Sequence, residues 1–207
     1  MVRMKASDRK TIAQFNAWAA FYDRVFFIPF FLCRRAVLRS AAVDHHFRVL
    51  DIGCGTGVLL RELHAGNSAP KPHGIDISPA MLKKARHRLG RSTLLCRTSA
   101  ENLPYEANRF DLVTCLTSFH HYTNPNRALR EMNRVLKPGG KALLLDPFTD
   151  GTLRTIACSL VKLVFSEPDI SLFTSARIRR MFFEAGFASV SQESCMFYKL
   201  LTVGVKP

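Results

Sequence analysis

Residues 49–57 read Val-Leu-Asp-Ile-Gly-Cys-Gly-Thr-Gly, an apolar run of β type that delivers the acid Asp51 into three glycines at every second position. A strand that ends in a glycine loop and opens a helix lets backbone N–H groups approach a nucleoside ligand with no Cβ in the way. The spacing of a dinucleotide loop, G-x-G-x-x-G, is not met, because Val58 follows Gly57. Asp51 also argues against phosphate: it would repel a pyrophosphate and attract a cationic amino group or a sulfonium. S-adenosylmethionine carries both. Further on, Gly74-Ile75-Asp76-Ile77-Ser78 reads as a second strand ending in an acid, 76 − 51 = 25 positions after Asp51, which suits the hydroxyls of a ribose.

A second group of residues could act on an acceptor. Ser118-Phe119-His120-His121-Tyr122 falls where a later strand should end, at the carboxyl edge where ligands bind in open α/β sheets. An imidazole titrates near about 6.5, so His120 or His121 could take a proton from a phenol or an activated ring carbon. The same pair would also serve packing and capping. Adjacent histidines lack the ligand spacing of a metal site, and no metal is expected. Tyr22, in Trp18-Ala19-Ala20-Phe21-Tyr22-Asp23, is the other candidate, with core packing as the competing explanation.

These residues need a scaffold, and the patterning supplies one. From Ser7 to about Ala41 the chain has helical character, with Ile12, Phe15, Trp18 and Ala19 three or four apart, and reads as a lid or flank. Strands are expected at 47–52, 73–77, 93–97, 110–117 and 141–146. Helices are expected at 58–64, at 78–89 (Ser78 cap, Pro79 first, Gly90 stop) and from about 126 to 136. Strands alternating with helices imply a parallel sheet. After Pro147 come an apolar insert at 153–165, a helix at 175–185 capped by Ser175, and two short segments, 190–194 and 196–205, that fit a closing antiparallel pair. The expected organisation is one domain: a flank at 1–46, a ligand-binding core at 47–147, and an insert with closing strands at 148–207.

The 207 residues carry a net charge of +14, which asks for an anionic lipid, an RNA or simply water. The Phe-rich run 26–31, flanked by Asp23-Arg24 and Arg34-Arg35, and the insert at 153–165 could form an apolar acceptor mouth or touch an anionic membrane. Neither reaches the roughly 18–20 residues of a membrane-spanning helix. The six cysteines never approach C-x-x-C spacing and read as buried thiols of a reducing cytosol.

Asp51-Ile52-Gly53-Cys54-Gly55-Thr56-Gly57 resembles motif I of the class I S-adenosylmethionine-dependent methyltransferases, and Ser99-Ala100-Glu101-Asn102-Leu103-Pro104, Asp111-Leu112-Val113 and Arg134-Val135-Leu136-Lys137-Pro138-Gly139-Gly140 follow in that family's order. The likeness spans about residues 47 to 147 and is greatest to the ubiquinone/menaquinone-biosynthesis methyltransferases. It implies a Rossmann-like, doubly wound seven-stranded α/β sheet with a reversed final hairpin and an N-terminal helical lid. It assigns the cofactor S-adenosylmethionine to Asp51, Gly53, Cys54, Gly55, Gly57, Asp76, Ile77, Ser99, Ala100, Glu101 and Thr117. Ser99 departs from the pattern, since an Asp usually stands there and meets the adenine. The resemblance also lets Tyr22 cover the methionine end. The implied acceptor is small and hydrophobic or lipid-like, a quinone-precursor ring methylated at carbon or oxygen, with a phospholipid amine as the alternative. An RNA substrate is disfavoured because Leu116-Thr117-Ser118-Phe119 replaces the Asn/Asp-Pro-Pro-aromatic motif of base-flipping enzymes. No obligate protein partner is implied, and the expected location is cytoplasmic, with peripheral contact at a membrane open.

Overall fold

The structure is a computed structural model in which residues 6–42, 46–64, 71–164 and 170–207 are described. Seven strands form one sheet: β1 (Val49–Ile52), β2 (His73–Asp76), β3 (Leu94–Arg97), β4 (Phe110–Leu116), β5 (Leu136–Pro147), β6 (Ser189–Met196) and β7 (Lys199–Val205). Their order is β3-β2-β1-β4-β5-β7-β6. The first five run parallel, and β7 pairs antiparallel with both β5 and β6. The reversed hairpin implied by the family resemblance is therefore present.

Helices cover both faces, which is why the central strands are apolar on both sides. On one face, α5 (Pro125–Val135) and α7 (Ser175–Glu184) bury Leu129, Met132 and Phe182 against Leu50, Ile52 and Val113. On the other, α2 (Tyr22–Ala41), α3 (Val58–His64) and α4 (Pro79–Leu89) bury Val37, Leu60 and Ala85 against Leu112, Leu143 and Leu201. The alternation along β4 slips between Phe110 and Leu112, where the pairing with β5 is irregular. That slip turns Phe110 to the same side as Val113 and Cys115.

Local chemistry sets the helix ends. Ser78 Oγ accepts from the Met81 N–H at 3.1 Å, Pro79 opens α4, and Gly90 ends it. Asn124 caps α5 through the Arg127 N–H at 3.0 Å. The cap of α7 is Thr174, not Ser175: Thr174 accepts from the Arg177 N–H, and Ser175 is the first helical residue, bonded to Asp150.

Two expectations change. The N-terminal run is not continuous but breaks around Ala19–Phe21 into α1 (Ala6–Trp18) and α2, and most of α2 lies on the sheet against β5, β6 and β7. Helix α1 packs on α4 instead. Strand β5 starts at Leu136 rather than Lys141, because Leu136 already pairs with Phe110. The side chains of 26–30 in the Phe-rich run lie outside the described residues, as does Phe165 of the insert; α6 (Thr152–Val164) accounts for the rest of that insert.

Candidate active site

A solvent-open cleft lies at the carboxyl ends of β1, β2 and β4. Its floor is the glycine loop. Gly53 has φ +68° and passes so close to the β4 end that a Cβ would meet Ser118 Oγ at 2.5 Å. Gly55, also at positive φ, faces open space: nothing stands within 4 Å of where a Cβ would be. Its N–H donates to Asp76 Oδ2 at 2.9 Å, and the Ser78 N–H donates to Asp76 Oδ1 at 2.8 Å. Asp76 thus ties the loop to the start of α4 while Asp76 and Ile77 border the cleft. Burial pushes the Asp76 carboxyl up, and the backbone hydrogen bonds pull against it.

The segment after β3 supplies another wall through Ser99, Ala100 and Glu101. Ser99 Oγ accepts the Glu101 N–H at 3.2 Å, so its hydroxyl oxygen is engaged within its own turn. Glu101 Oε1 accepts the Asn124 N–H at 2.6 Å, fixing this wall to the cap of α5.

The end of β4 contributes most of the wall opposite. Thr117 has φ +54°, its N–H donates to Leu145 O at 2.7 Å, and its hydroxyl accepts from Lys199 Nζ at 3.3 Å. Ser118 Oγ donates to Ile52 O at 3.3 Å and lies 2.9 Å from Tyr122 Oη, with Cys115 Sγ at 3.2 Å. Burial holds the Tyr122 phenol well above its ordinary range, so it remains protonated. Between them a short 3-10 turn, Phe119–His121, sends three side chains three ways. Phe119 enters the core; His120 Nδ1 sits 2.9 Å from Asp146 Oδ1, both buried; His121 borders the cleft. His121 meets Phe15 edge-on at 5.1 Å and His120 at 4.2 Å between ring centroids. Burial, reinforced by His120 and Lys199, brings the His121 imidazole down to about 2 and keeps it neutral.

The lid closes the third side with Thr11 and Phe15 of α1 and Tyr22 at the start of α2. Asn16 Oδ1 anchors it to α4, accepting from Ser78 Oγ at 2.8 Å and the Ala80 N–H at 3.3 Å. Asp23 adds a second anchor: Thr56 Oγ1 donates to it at 2.6 Å, and Arg88 Nη2 lies 2.6 Å from its other oxygen. Burial raises the Asp23 carboxyl, but these bonds outweigh that and leave it below its usual value.

The cleft brings together Tyr22, Gly53, Gly55, Asp76, Ile77, Ser99, Ala100, Glu101, Thr117 and His121 from the sequence reading. Four other residues lie behind the wall. Asp51 is 3% exposed and accepts from Thr114 Oγ1 at 2.7 Å; burial lifts its carboxyl to about 7, so a charge facing a ligand directly is not what the structure shows. Cys54 is buried beside Gly74, and Gly57 backs onto Leu89 and Ala85 of α4. His120 is turned to Asp146. Sequence reasoning missed Thr11, Phe15, Met81, Ser118 and Tyr122, all cleft residues; Ser118 and Tyr122 stood in the quoted His-pair segment and could have been found there. Among the described residues no cluster of three or more His, Cys, Asp or Glu could hold a metal ion.

Comparison with known proteins agrees with this geometry. The family described as "Methyltransferase domain" matches residues 50–144. The demethylmenaquinone methyltransferase of Tropheryma whipplei (strain Twist) is 33% identical over 168 residues, 74% of this chain and 70% of that protein. The ubiquinone/menaquinone biosynthesis C-methyltransferase of Bordetella parapertussis is 43% identical over 111 residues, 51% of this chain and 43% of that one. Among solved structures, the methyltransferase of a Haloferax volcanii complex with the activator Trm112 superposes with TM-score 0.83 at 25% identity, covering 93% of this chain and 97% of its own.

Proposed function

Because the chain belongs to the class I S-adenosylmethionine-dependent methyltransferases, we propose that it methylates a ring carbon of a small hydrophobic, quinone-precursor acceptor. The observation that carries this reading is a cleft with two chemically different sides: the glycine loop and Asp76 on one, Tyr22, Thr117, His121 and Tyr122 on the other. The names of the curated relatives point to quinone rings and do not favour a phospholipid amine.

The residues present fit the methyl donor. The open space over Gly55 admits a ligand against bare backbone, and Asp76 offers a carboxylate to ribose hydroxyls. Ala100, with the backbone of Ser99, would receive the adenine, since the Ser99 hydroxyl oxygen is already bonded. S-adenosylmethionine supplies a methyl group on a sulfonium, an intrinsically good leaving group. The protein's task is then alignment and exclusion of water. Phe15 and Tyr22 cover the site from the lid. Neutral His121 accepts a hydrogen bond from an acceptor hydroxyl, enriching the ring carbon that attacks; the proton that the new carbon–methyl bond displaces from that carbon passes to solvent, since the lowered imidazole does not retain it, and Tyr122 with Ser118 lies beside it.

The test is turnover of S-adenosylmethionine with a demethylated quinol, an analogue of that ring without its hydroxyls, and phosphatidylethanolamine, followed by mass spectrometry of the product. A carbon-methylated quinol and no product from the other two is the expected result. Methylated amine, or no product from any acceptor, would overturn the proposal.

A further inference from the structure

Helix α6 carries an apolar stripe that has no partner among the described residues. Leu153, Ile156, Leu160 and Leu163 recur at three and four positions, which aligns them on one side of a helix, and they are 73%, 52%, 57% and 75% exposed. Its opposite side is attached: Cys158 is buried with its thiol 3.5 Å from Phe148 O. A helix held by one face while presenting four large apolar side chains to water has surface to cover.

The stripe continues onto neighbouring elements. Arg154 Nε donates to Phe197 O at 2.7 Å, and Phe197, at the tip of the β6–β7 hairpin, is itself 54% exposed. The same hairpin packs against α2. Just before Cys33, Phe31 and Leu32 are exposed too.

The charges on α6 itself have one sign, and the acid on the adjoining hairpin, Glu193, is paired with Arg39 of α2. Between Thr152 and Val164 the only charged residues are Arg154 and Lys162, and Arg35 is exposed on α2. The Arg154 guanidinium stacks over the Phe148 and Phe197 rings at 4.8 and 5.3 Å, a cation set at the margin of an apolar face. The chain as a whole carries +14. Apolar side chains bordered by cations are complementary to acyl chains beneath anionic headgroups. Among the described residues no helix is long and apolar enough to cross a membrane, so the contact would be in the interfacial plane.

We propose that the outer face of α6, together with Phe197, docks on an anionic lipid bilayer. The surface stands beside the cleft: Lys199, which begins β7 next to the Phe197 tip, reaches Thr117 in the cleft wall. Docking would bring the cleft to the place where a hydrophobic acceptor is dissolved. The proposal does not depend on which acceptor is methylated, and its test involves no methyl transfer.

The experiment is co-sedimentation with vesicles of phosphatidylglycerol and phosphatidylcholine, against vesicles of phosphatidylcholine alone. Wild type should bind the anionic vesicles and lose about tenfold in affinity between low and high salt. Ile156→Glu with Leu160→Glu should bind about tenfold more weakly or worse, with melting temperature and S-adenosylmethionine affinity unchanged, because both residues face water. Leu94→Ser, an exposed position on the edge strand β3, should bind as wild type. The idea fails if the double variant sediments like wild type, if vesicles without anionic lipid bind equally well, or if wild type binds neither. It also fails if wild type is a dimer that the double variant turns into a monomer, which would assign the face to a second copy.

Discussion

Asp23 lies 2.6 Å from Arg88 and receives the Thr56 hydroxyl on its other oxygen, so one carboxylate joins the lid, the glycine loop and helix α4. Removing it should loosen the cover over the methyl donor more than it harms the fold, because partly exposed pairs contribute little stability. Asp23→Ala is expected to lower melting stability by about 1 kcal/mol and to weaken S-adenosylmethionine binding about tenfold. Titration calorimetry and a melting curve on the same sample decide it: lost stability with intact affinity would show that the latch is structural only.

The two cleft glycines should separate folding from binding. Gly53→Ala puts a Cβ into Ser118 and should destabilise by about 2 kcal/mol or more. Gly55→Ala meets no atom, so only backbone strain of about 1 kcal/mol applies, yet its methyl stands in ligand space. Expected, then, is a near-native Gly55→Ala protein that no longer retains S-adenosylhomocysteine in equilibrium dialysis. Retention by this variant would remove the glycine loop from the binding site.

Asp51 gives a pH signature with a definite sign. Its folded value is raised to about 7 from an ordinary carboxyl value, so its contribution is full at acid pH and lost as pH rises through about 7. Buried His121 and His73, lowered to about 2 and about 4, act oppositely: their contribution is present above about 6.5 and lost as pH falls below it. Comparing Asp51→Asn with wild type cancels the histidines. The variant should melt at a higher temperature than wild type at pH 8, with the gain shrinking toward pH 5 (roughly a few degrees at most). Equal melting curves at both values would mean that Asp51 is not held in its buried, neutral-prone state.

His121 should affect turnover and not cofactor affinity. His121→Phe preserves the edge contact with Phe15 but removes the hydrogen-bond acceptor, and kcat with a quinol should fall about 100-fold or more. S-adenosylmethionine affinity should stay within about twofold, as expected of an interaction made on the acceptor side alone. A fall in affinity with kcat intact would move His121 to the cofactor side.

The glycine loop and Asp76 were legible because their meaning is local: spacing along one strand and one turn decides what the backbone can approach. The alternation of strands and helices gave the parallel half of the sheet for the same reason. What escaped depends on which strands become neighbours. Asp51 looked like a ligand group until β4 set Thr114 beside it. Gly53, Ser118 and Tyr122 meet only because β1 and β4 are adjacent. The histidine pair could not be resolved in sequence either: a three-residue turn assigns one imidazole to Asp146 and its neighbour to the cleft. Phe15 and Met81 join the wall through the docking of α1 on α4, a contact made by Asn16, which carries no sequence signature.

Thr117 is a β-branched residue in the left-handed region, a conformation such side chains rarely adopt and one that costs on the order of 1–3 kcal/mol. Its restraints include the Leu145 carbonyl on β5 and the Lys199 ammonium on β7. The strain at this corner is therefore carried by the pairing of β4 with β5 and of β5 with β7, so the folding energy of the sheet keeps its shape.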